Sequence, residues 1–387
     1  MAVPLQYNIR NLKLRKSATV MTALGIALTV TTAIFIMALL AGLNQAFRES
    51  GDPLNVLVMR KGAVSELSAG GVDREALPIM KELPGVARDA QGQPMVSGED
   101  LLVVVLPRND GTGETNVTVR FLTPAGIEMR PEVKLIQGRW FTPGQHEIVV
   151  SNSIHKRFAQ ANVGDSMWIG KGPWNVVGIF DGGGGAHDSE IWGDINQLSS
   201  DFDRPTFNSA LIRATDPISA DALKNRVSDD QRLKLNGMLE TEYWAKQTST
   251  GNPIKFVGTL VAIIMAIGSC FAAMNTMYAA VAYRSREIAT LRVIGFSRPS
   301  ILTSFVFESV LLSLLGAAVG VVLMLPFNGM TTGTNNPVTF SEAVFSLQMT
   351  PSVVLWAVAF AVAMGLFGGF APAWHASRRE ILAALRD

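Results

Sequence analysis

Four stretches of this 387-residue chain contain no charged side chain, and they constrain its fold more than any other feature. They are Ser17–Phe47, Phe256–Tyr283, Ser309–Met330 and Pro351–His375. Each exceeds the roughly 20 residues that a helix needs to cross the ~30 Å hydrocarbon core of a bilayer. Because backbone groups in lipid must be hydrogen-bonded within their own segment, the stretches predict four transmembrane helices. Core helices of a large soluble protein are the alternative.

The distribution of basic residues predicts how these helices are oriented. Lys and Arg collect in the N-terminal tail, in the connector between the second and third spans and in the C-terminal tail: Arg10, Lys13, Arg15, Lys16; Arg284, Arg286, Arg292, Arg298; Arg378, Arg379, Arg386. The connector between the third and fourth spans has none. Because basic loops remain in the cytoplasm, both termini and the basic connector are predicted there, with the large segment outside. A retained anchor is favoured over a cleaved signal peptide, whose apolar region has only about 7–15 residues.

This topology divides the chain into consecutive segments. They are a cytoplasmic amphipathic tail (1–17), the first span and stalk (18–47), an outer domain (48–252), the second span and stalk (253–283), a cytoplasmic coupling segment (284–298), the third span (299–330), a short outer loop (331–349), the fourth span (350–375) and a cytoplasmic tail (376–387). In the first tail, Leu5, Ile9 and Leu12 recur at helical spacing, which favours a helix at the membrane surface. The first two spans are long enough to project outward as stalks.

The outer domain alternates strand and helix signals. Asn55–Arg60 and Leu101–Leu106 read as strands, and Asp73 between them is a candidate N-cap for a helix over Arg74–Leu83. A β-rich group follows, and then a strand and a helix: Asn116–Leu122, Glu147–Val150, Ser166–Ile169, Asn175–Phe180; Phe207–Arg213; Ser219–Val227. We expect two α+β lobes, one formed by the first and last βα pieces and the other by the inserted middle.

The basic connector has its own pattern. Ile288, Leu291 and Ile294 recur at helical spacing and predict one apolar stripe. The charged residues Arg284, Arg286, Glu287 and Arg292 lie mostly off it. Gly295 suits the position after a helix C-terminus, and Ser297 can cap the next helix with Pro299 in its first turn. A short helix that turns sharply into the third span would fit a groove of a partner protein. A loop that is basic only for topology explains the arginines but not the stripe.

Glu308 is the one acidic residue deep in a predicted span. A charge at mid-bilayer is costly, so such a residue faces a polar partner or the bundle interior. It either accepts a hydrogen bond from a neighbouring span or subunit, or is protonated, and a structural role is favoured over proton transport. Gly316 and Gly320 have the small-xxx-small spacing that permits close helix approach.

The sequence predicts no catalytic, cofactor or metal site. No nucleophile motif such as G-x-S-x-G occurs, and His146, His155 and His187 lack metal-ligand spacing. Gly182–Gly185 reads as a flexible loop, and the single Cys270 excludes a disulfide framework.

The chain resembles the MacB/FtsX-like permeases of ABC transporters, the mechanotransmission or type VII group. The similar stretches are RNLKLR at Arg10–Arg15, GRWFT at Gly138–Thr142, EIVV at Glu147–Val150, VGD at Val163–Asp165, REIATLRVIG at Arg286–Gly295, and the C-terminal pieces Pro372–Ser377 and Ala384–Arg386. The resemblance covers the whole chain in order. It implies an integral membrane α-helical protein of the bacterial inner membrane, with four transmembrane helices and a large two-lobed α+β periplasmic domain inserted between the first and second spans.

The resemblance also implies partners. The residues expected to couple to an ABC ATPase are Arg286, Glu287, Ile288, Leu291, Arg292, Ile294 and Gly295. Two ATPase copies would bind the ATP and Mg, since this sequence has no G-x-x-x-x-G-K-[ST] loop. A second permease copy or a sister subunit, membrane lipid and, in the efflux branch, a periplasmic adaptor and outer-membrane channel are expected, and no nucleic acid. Export or lipoprotein release is the implied task; the alternative is an FtsX-like scaffold that regulates cell-wall hydrolases.

Overall fold

The structure is a computed structural model that describes residues 16–69, 71–202, 204–247, 252–335 and 342–378. Its helices are α1 (Lys16–Glu49), α2 (Glu66–Ala69), α3 (Ala76–Lys81), α4 (Pro124–Glu128), α5 (Asn152–Arg157), α6 (Ile195–Phe202), α7 (Pro217–Asp229), α8 (Glu240–Gln247), α9 (Asn252–Tyr283), α10 (Ser285–Val293), α11 (Arg298–Met324) and α12 (Pro351–Arg378). Its strands are β1 (Asn55–Arg60), β2 (Val72–Asp73), β3 (Val96–Pro107), β4 (Glu114–Leu122), β5 (Lys134–Gly138), β6 (Glu147–Ser151), β7 (Ser166–Ile169), β8 (Gly172–Asp181), β9 (Glu190–Asp194), β10 (Thr206–Phe207), β11 (Ser209–Arg213), β12 (Leu235–Leu239), β13 (Thr331–Asn335) and β14 (Glu342–Ser346). Ala186–Ser189 and Leu325–Phe327 form 3₁₀ turns.

The chain divides into two compact units. The helical unit comprises Met1–Ala41, Asn252–Met330 and Leu347–Asp387, and the α/β unit comprises Gly42–Gly251 and Thr331–Ser346. The predicted surface helix at Leu5–Leu12 and the C-terminal pair Arg379 and Arg386 lie outside the described residues.

Four helices of the described chain are long and apolar enough to cross a membrane, as predicted. They pack through small and hydroxyl side chains. A methyl group on Gly316 of α11 would collide with Ile26 and with the backbone of α1, so the predicted close approach is confirmed. Thr29 of α1 shares a hydrogen bond of 2.5 Å with Ser269 of α9. These contacts bring the helices together where lipid supplies no hydrophobic force between them.

A ten-stranded mixed sheet organises the described part of the α/β unit, in the order β12-β1-β11-β3-β4-β9-β6-β8-β5 with β7 on β8. The first half of β3 pairs with β11 and its second half with β4. The first and last βα pieces therefore form one lobe and the inserted middle strands the other, as predicted, and the two lobes share this sheet. β1 is buried along almost its whole length, which explains its apolar run Val56–Met59, and β9 is buried throughout.

Two predictions about this unit are corrected by long-range strand pairing. Asp73 does not cap a helix, because β2 pairs with β10 and the next helix begins at Ala76 with Glu75 as its N-cap. The segment predicted as a short loop between the third and fourth spans contains the hairpin β13–β14, which belongs to the α/β unit. Glu342 of this hairpin is buried and accepts hydrogen bonds from Arg108 at 2.8 Å and Arg157 at 2.5 Å.

A buried network of charges lies on the sheet of the α/β unit. Arg120 on β4 is 1% exposed and binds three carboxylates, those of Glu66, Glu99 and Glu190, at 2.6–3.1 Å. Arg130 binds Glu99 through both terminal nitrogens, at 2.8 and 2.9 Å. Burial opposes ionisation of Glu99, but the two guanidinium groups hold the pKa of this carboxyl below its ordinary value. The network therefore keeps its charges in the core.

Asp100, next to this network, gives a pH-dependent prediction. Burial raises the pKa of Asp100 to about 6 from 3.8, against the weaker attraction of Arg204 at 3.6 Å. Between these two values the folded state binds the proton more tightly than the unfolded state, so this group lowers stability as pH rises from about 4 to 6. We expect Asp100→Asn to stabilise the α/β unit at pH 7 by at most about 3 kcal/mol, and to leave it unchanged near pH 3. Urea unfolding of both proteins across this range measures the difference, and an equal gain at every pH would contradict it.

Candidate functional site

The connector between α9 and α11, residues Arg284–Arg298, is built as a helix and a sharp turn. After Tyr283 only Arg284 departs from helical geometry, with φ −104° and ψ 20°, before α10 begins. At the other end, Gly295 has φ +108°, a conformation that glycine adopts readily. The amide of Phe296 donates to the Leu291 carbonyl and that of Gly295 to the Arg292 carbonyl, which together form a Schellman cap. The predicted helix and turn are thus confirmed.

The next helix begins as predicted. Ser297 is the N-cap of α11, and its hydroxyl accepts a hydrogen bond from the Ser300 amide at 3.4 Å. Pro299 lies in the first turn, where its missing N–H costs nothing. The chain direction between α10 and α11 is therefore set by local backbone geometry at both sides of Gly295.

The predicted single apolar stripe on this helix is wrong. Ile288 is 3% exposed and packs in the helical unit with Met277, Val281 and Phe305. Ile294, by contrast, is 64% exposed, and neighbouring Val293 is 63% exposed. The reason is the helical repeat: at about 100° per residue, Ile294 lies about 120° around the helix axis from Ile288. Its backbone is still helical, with φ −67° and ψ −11°.

The remaining predicted coupling residues are half-buried or exposed. Leu291 and Arg292 are half-buried, whereas Arg286 and Glu287 are exposed. The structure thus places one buried anchor and one exposed apolar end on the same short helix. The role of all seven residues in contacting an ATPase stays a prediction.

The sequence pattern places Arg284 among the charged residues off the apolar stripe, where an exposed side chain is expected. In the structure Arg284 is buried, with 5% of its surface exposed. Its Nη1 donates to Glu308 at 3.2 Å, and its Nε donates to Glu287 at 3.2 Å. Its guanidinium also lies 5.2 Å from the centroid of the Phe305 ring. Glu308 is therefore paired with the residue that directly follows the preceding span. An arginine at the end of one span and an acid inside the next was the only available signal.

The Arg284–Glu308 pair ties the connector to α11, and each charge depends on the other. We expect Arg284→Met or Glu308→Met alone to destabilise the helical unit by about 3–5 kcal/mol, because each removes one member of this buried ion pair. The double variant Arg284→Met/Glu308→Met should recover most of this loss. Thermal unfolding in detergent measures the three proteins. Strictly additive effects of the two changes would show that the residues do not interact.

The other candidate positions are engaged elsewhere. In the loop predicted as flexible, the amides of Gly182 and Gly184 donate to the Asp188 carboxylate at 2.7 and 3.0 Å, so a carboxylate of the chain itself occupies it. His146 lies 2.9 Å from Asp201, and His187 lies 3.1 Å from Glu190. Among the described residues, no group of three His, Cys, Asp or Glu side chains could hold a metal ion.

Two family models match this chain. A MacB-like periplasmic core domain matches residues 19–230, and an FtsX-like permease C-terminal domain matches residues 259–381. The chain belongs to the MacB/FtsX-like ABC transporter permeases. The FtsX-like match contains the whole connector and Glu308, and the MacB-like match contains every strand of the ten-stranded sheet except β12.

Individual relatives of this MacB/FtsX-like permease are distant. A macrolide export ATP-binding/permease protein MacB of Hahella chejuensis is 25% identical over 95% of this chain and 57% of its own length. An uncharacterized ABC transporter permease, YknZ, of Bacillus subtilis is 24% identical over 96% of this chain and 95% of its own length. The permease therefore spans little more than half of the MacB relative and nearly all of the YknZ relative.

Two solved structures resemble part of this MacB/FtsX-like permease. The periplasmic region of MacB from Actinobacillus actinomycetemcomitans covers 50% of this chain and 92% of its own, with 11% identity and a TM-score of 0.38. The extracellular domain of YknZ covers 48% and 99%, with 16% identity and a TM-score of 0.35.

Proposed function

We propose that this permease transmits movement from a separate ABC ATPase, through the connector, to its α/β unit. The observation that carries the proposal is the construction of α10. This helix is rigidly capped, anchored to α11 by Arg284 and Glu308, and ends in an exposed apolar pair, Val293 and Ile294. An exposed apolar helix end suits a hydrophobic groove of a partner, and the anchored helix would pass the partner's movement to α11.

The connector joins two helices whose lengths suit such transmission. α9 has 32 residues, and α1 has 34 and runs without a break from the helical unit into the α/β unit. We place the connector and both termini in the cytoplasm, because the basic residues collect there. The α/β unit then lies in the periplasm, in a bacterial inner membrane protein.

The proposed complex contains two ATPase copies, which bind ATP and Mg, and two permeases. Only 6% of the apolar window of α9 is buried, against 33–39% in the other three long helices. This difference supports a second permease copy or a sister subunit, with lipid, against α9. Relatives named as macrolide export proteins favour efflux as the task, with lipoprotein release as a further possibility. A periplasmic adaptor and an outer-membrane channel would complete the efflux path.

Purification from native membranes tests the proposal. A tagged full-length chain is expected to retain a nucleotide-binding subunit whose ATP hydrolysis falls when the permease is removed. Reconstituted in vesicles, this complex should then be screened for ATP-dependent movement of candidate substrates. Recovery of the chain alone in several mild detergents would contradict the ATPase partnership. Retention of an ATPase together with a cell-wall hydrolase, and no transport, would point to the scaffold function.

A further inference from the structure

Three structural elements that lead into the long helices meet at one short segment of the α/β unit. This segment, Ala186–Glu190, consists of a 3₁₀ turn and the first residue of β9. We call it the hub segment.

The end of α1 is the first element to reach the hub segment. The Ser50 hydroxyl accepts a hydrogen bond from the Ala186 amide at 2.6 Å and donates one to the Ala46 carbonyl, also at 2.6 Å. Ser50 is 1% exposed, so both bonds are shielded from water. The backbone of the hub segment is thereby fastened to the last turn of the helix that forms the first span.

α8, which precedes α9 along the chain, is the second element. Trp244 of α8 stacks on Phe47 of α1 with ring centroids 5.8 Å apart. The same indole meets the His187 ring edge-to-face, also at 5.8 Å. His187 is fully buried, so this aromatic stack is part of the core and transmits displacement by contact.

The hairpin between α11 and α12 is the third element. The amide of Val344 on β14 donates to the Ser189 hydroxyl at 2.7 Å. Two arginines hold the same strand at Glu342, as described above. The connection between the third and fourth spans therefore also contacts the hub segment.

The hub segment continues directly into the middle of the sheet. Glu190 opens β9, which is buried along its length and pairs with β4 on one side and β6 on the other. The Glu190 carboxylate also accepts two hydrogen bonds of 2.9 Å from Arg120. A cavity of about 60 Å³, lined by Phe47, Trp244 and Ser189 among others, adjoins these contacts. Displacement of the hub segment must therefore move β9.

We propose that Ala186–Glu190 collects the movement of all four long helices and delivers it to the sheet through β9. This inference rests on the proposed function, because it requires the helices to move during the ATPase cycle. Ser50 and Ser189 act as positioning residues, since each fixes the hub segment to one incoming element by a single hydroxyl.

Distances between the two lobes test the hub segment. Spin labels replace Ile218 on α7 and Trp168 on β7, which are 83% and 69% exposed, in a full-length Cys270→Ala chain purified with its ATPase. The parent complex should show a nucleotide-dependent change in this distance. We expect Ser189→Ala and Ser50→Ala each to alter the population ratio of the two distances about three- to tenfold, because each removes the buried hydrogen bond that joins the hub segment to one incoming element. Ser189→Thr, which keeps the hydroxyl, should restore the parent ratio.

The matched control is Ser153→Ala, since the Ser153 hydroxyl is buried in the same unit without a hydrogen-bond partner among the described residues. It should leave the distances as in the parent. If the parent responds to nucleotide and both hub variants respond equally well, the hub assignment is overturned while the proposed function stands. If the parent itself shows no response, the proposed function fails and the hub with it. Should one variant not fold, the other decides the same question at an independent contact.

Discussion

Replacing Arg120 by alanine is expected to unfold the α/β unit or bring it close to unfolding. The change leaves Glu66, Glu99 and Glu190 buried within the same site without the guanidinium that binds all three. Removal of one partner from a buried ion pair costs about 3–5 kcal/mol, and domains are stable by only about 5–15 kcal/mol. Urea unfolding followed by fluorescence measures the loss, because Trp174 and Trp192 are fully buried in this unit.

Arg139→Ala is the matched control for this experiment. Arg139 also pairs with a glutamate, Glu147, at 2.5 Å, but its side chain is 55% exposed. We expect little change in the urea midpoint, since exposed ion pairs contribute little to stability. In a further variant, Arg120→Met/Glu190→Gln should be more stable than Arg120→Met alone, because it removes one of the buried charges that Arg120 had compensated. Equal midpoints for wild type and Arg120→Ala would show that the network does not support the fold.

Replacing Ile294 by aspartate is expected to uncouple the permease from its ATPase while leaving its own fold intact. Ile294 is 64% exposed in the single chain, so the change disturbs few contacts within it. In the proposed complex the same side chain is buried, and loss of its burial is worth about 1.5–3 kcal/mol before the cost of a buried charge. We therefore expect permease-dependent ATP hydrolysis to fall at least about tenfold.

Two further variants separate coupling from folding in that experiment. Ile218→Asp makes the same substitution at an exposed position of the α/β unit and should leave ATP hydrolysis unchanged. Ile288→Asp should instead lower the thermal stability of the permease, because Ile288 is 3% exposed within the helical unit. Full permease-dependent ATP hydrolysis in the Ile294→Asp complex would remove the exposed end of α10 from the proposed contact.

Local patterns in the sequence predicted elements well where local physics decides them. The strand Ser166–Ile169 begins and ends as predicted, and the helix cap at Ser297 and the turn at Gly295 have the predicted geometry. Alternating apolar residues and cap chemistry depend on neighbours along the chain, which the sequence contains. Asp73 failed as a cap because β2 pairs with a strand far along the chain, which no local pattern shows.

The candidate site was likewise predicted only in part. The sequence predicted a short helix and a turn in the connector, and for Glu308 either a hydrogen-bond partner or protonation. It did not predict that Arg284 is this partner, that Ile288 is buried while Ile294 is exposed, or that the hairpin at Glu342 belongs to the α/β unit. Each of these depends on which residues from distant segments meet after packing.

By itself, then, the sequence determined four membrane-spanning helices, an inserted α/β domain and the presence of a capped connector, because hydrophobic length, periodicity and cap residues act over a few helical turns or one strand. Only the tertiary structure decided which charges are buried. Arg284, Arg120 and Glu342 look like ordinary surface residues in the sequence, and they are buried because partners from other segments compensate the cost of removing their charges from water.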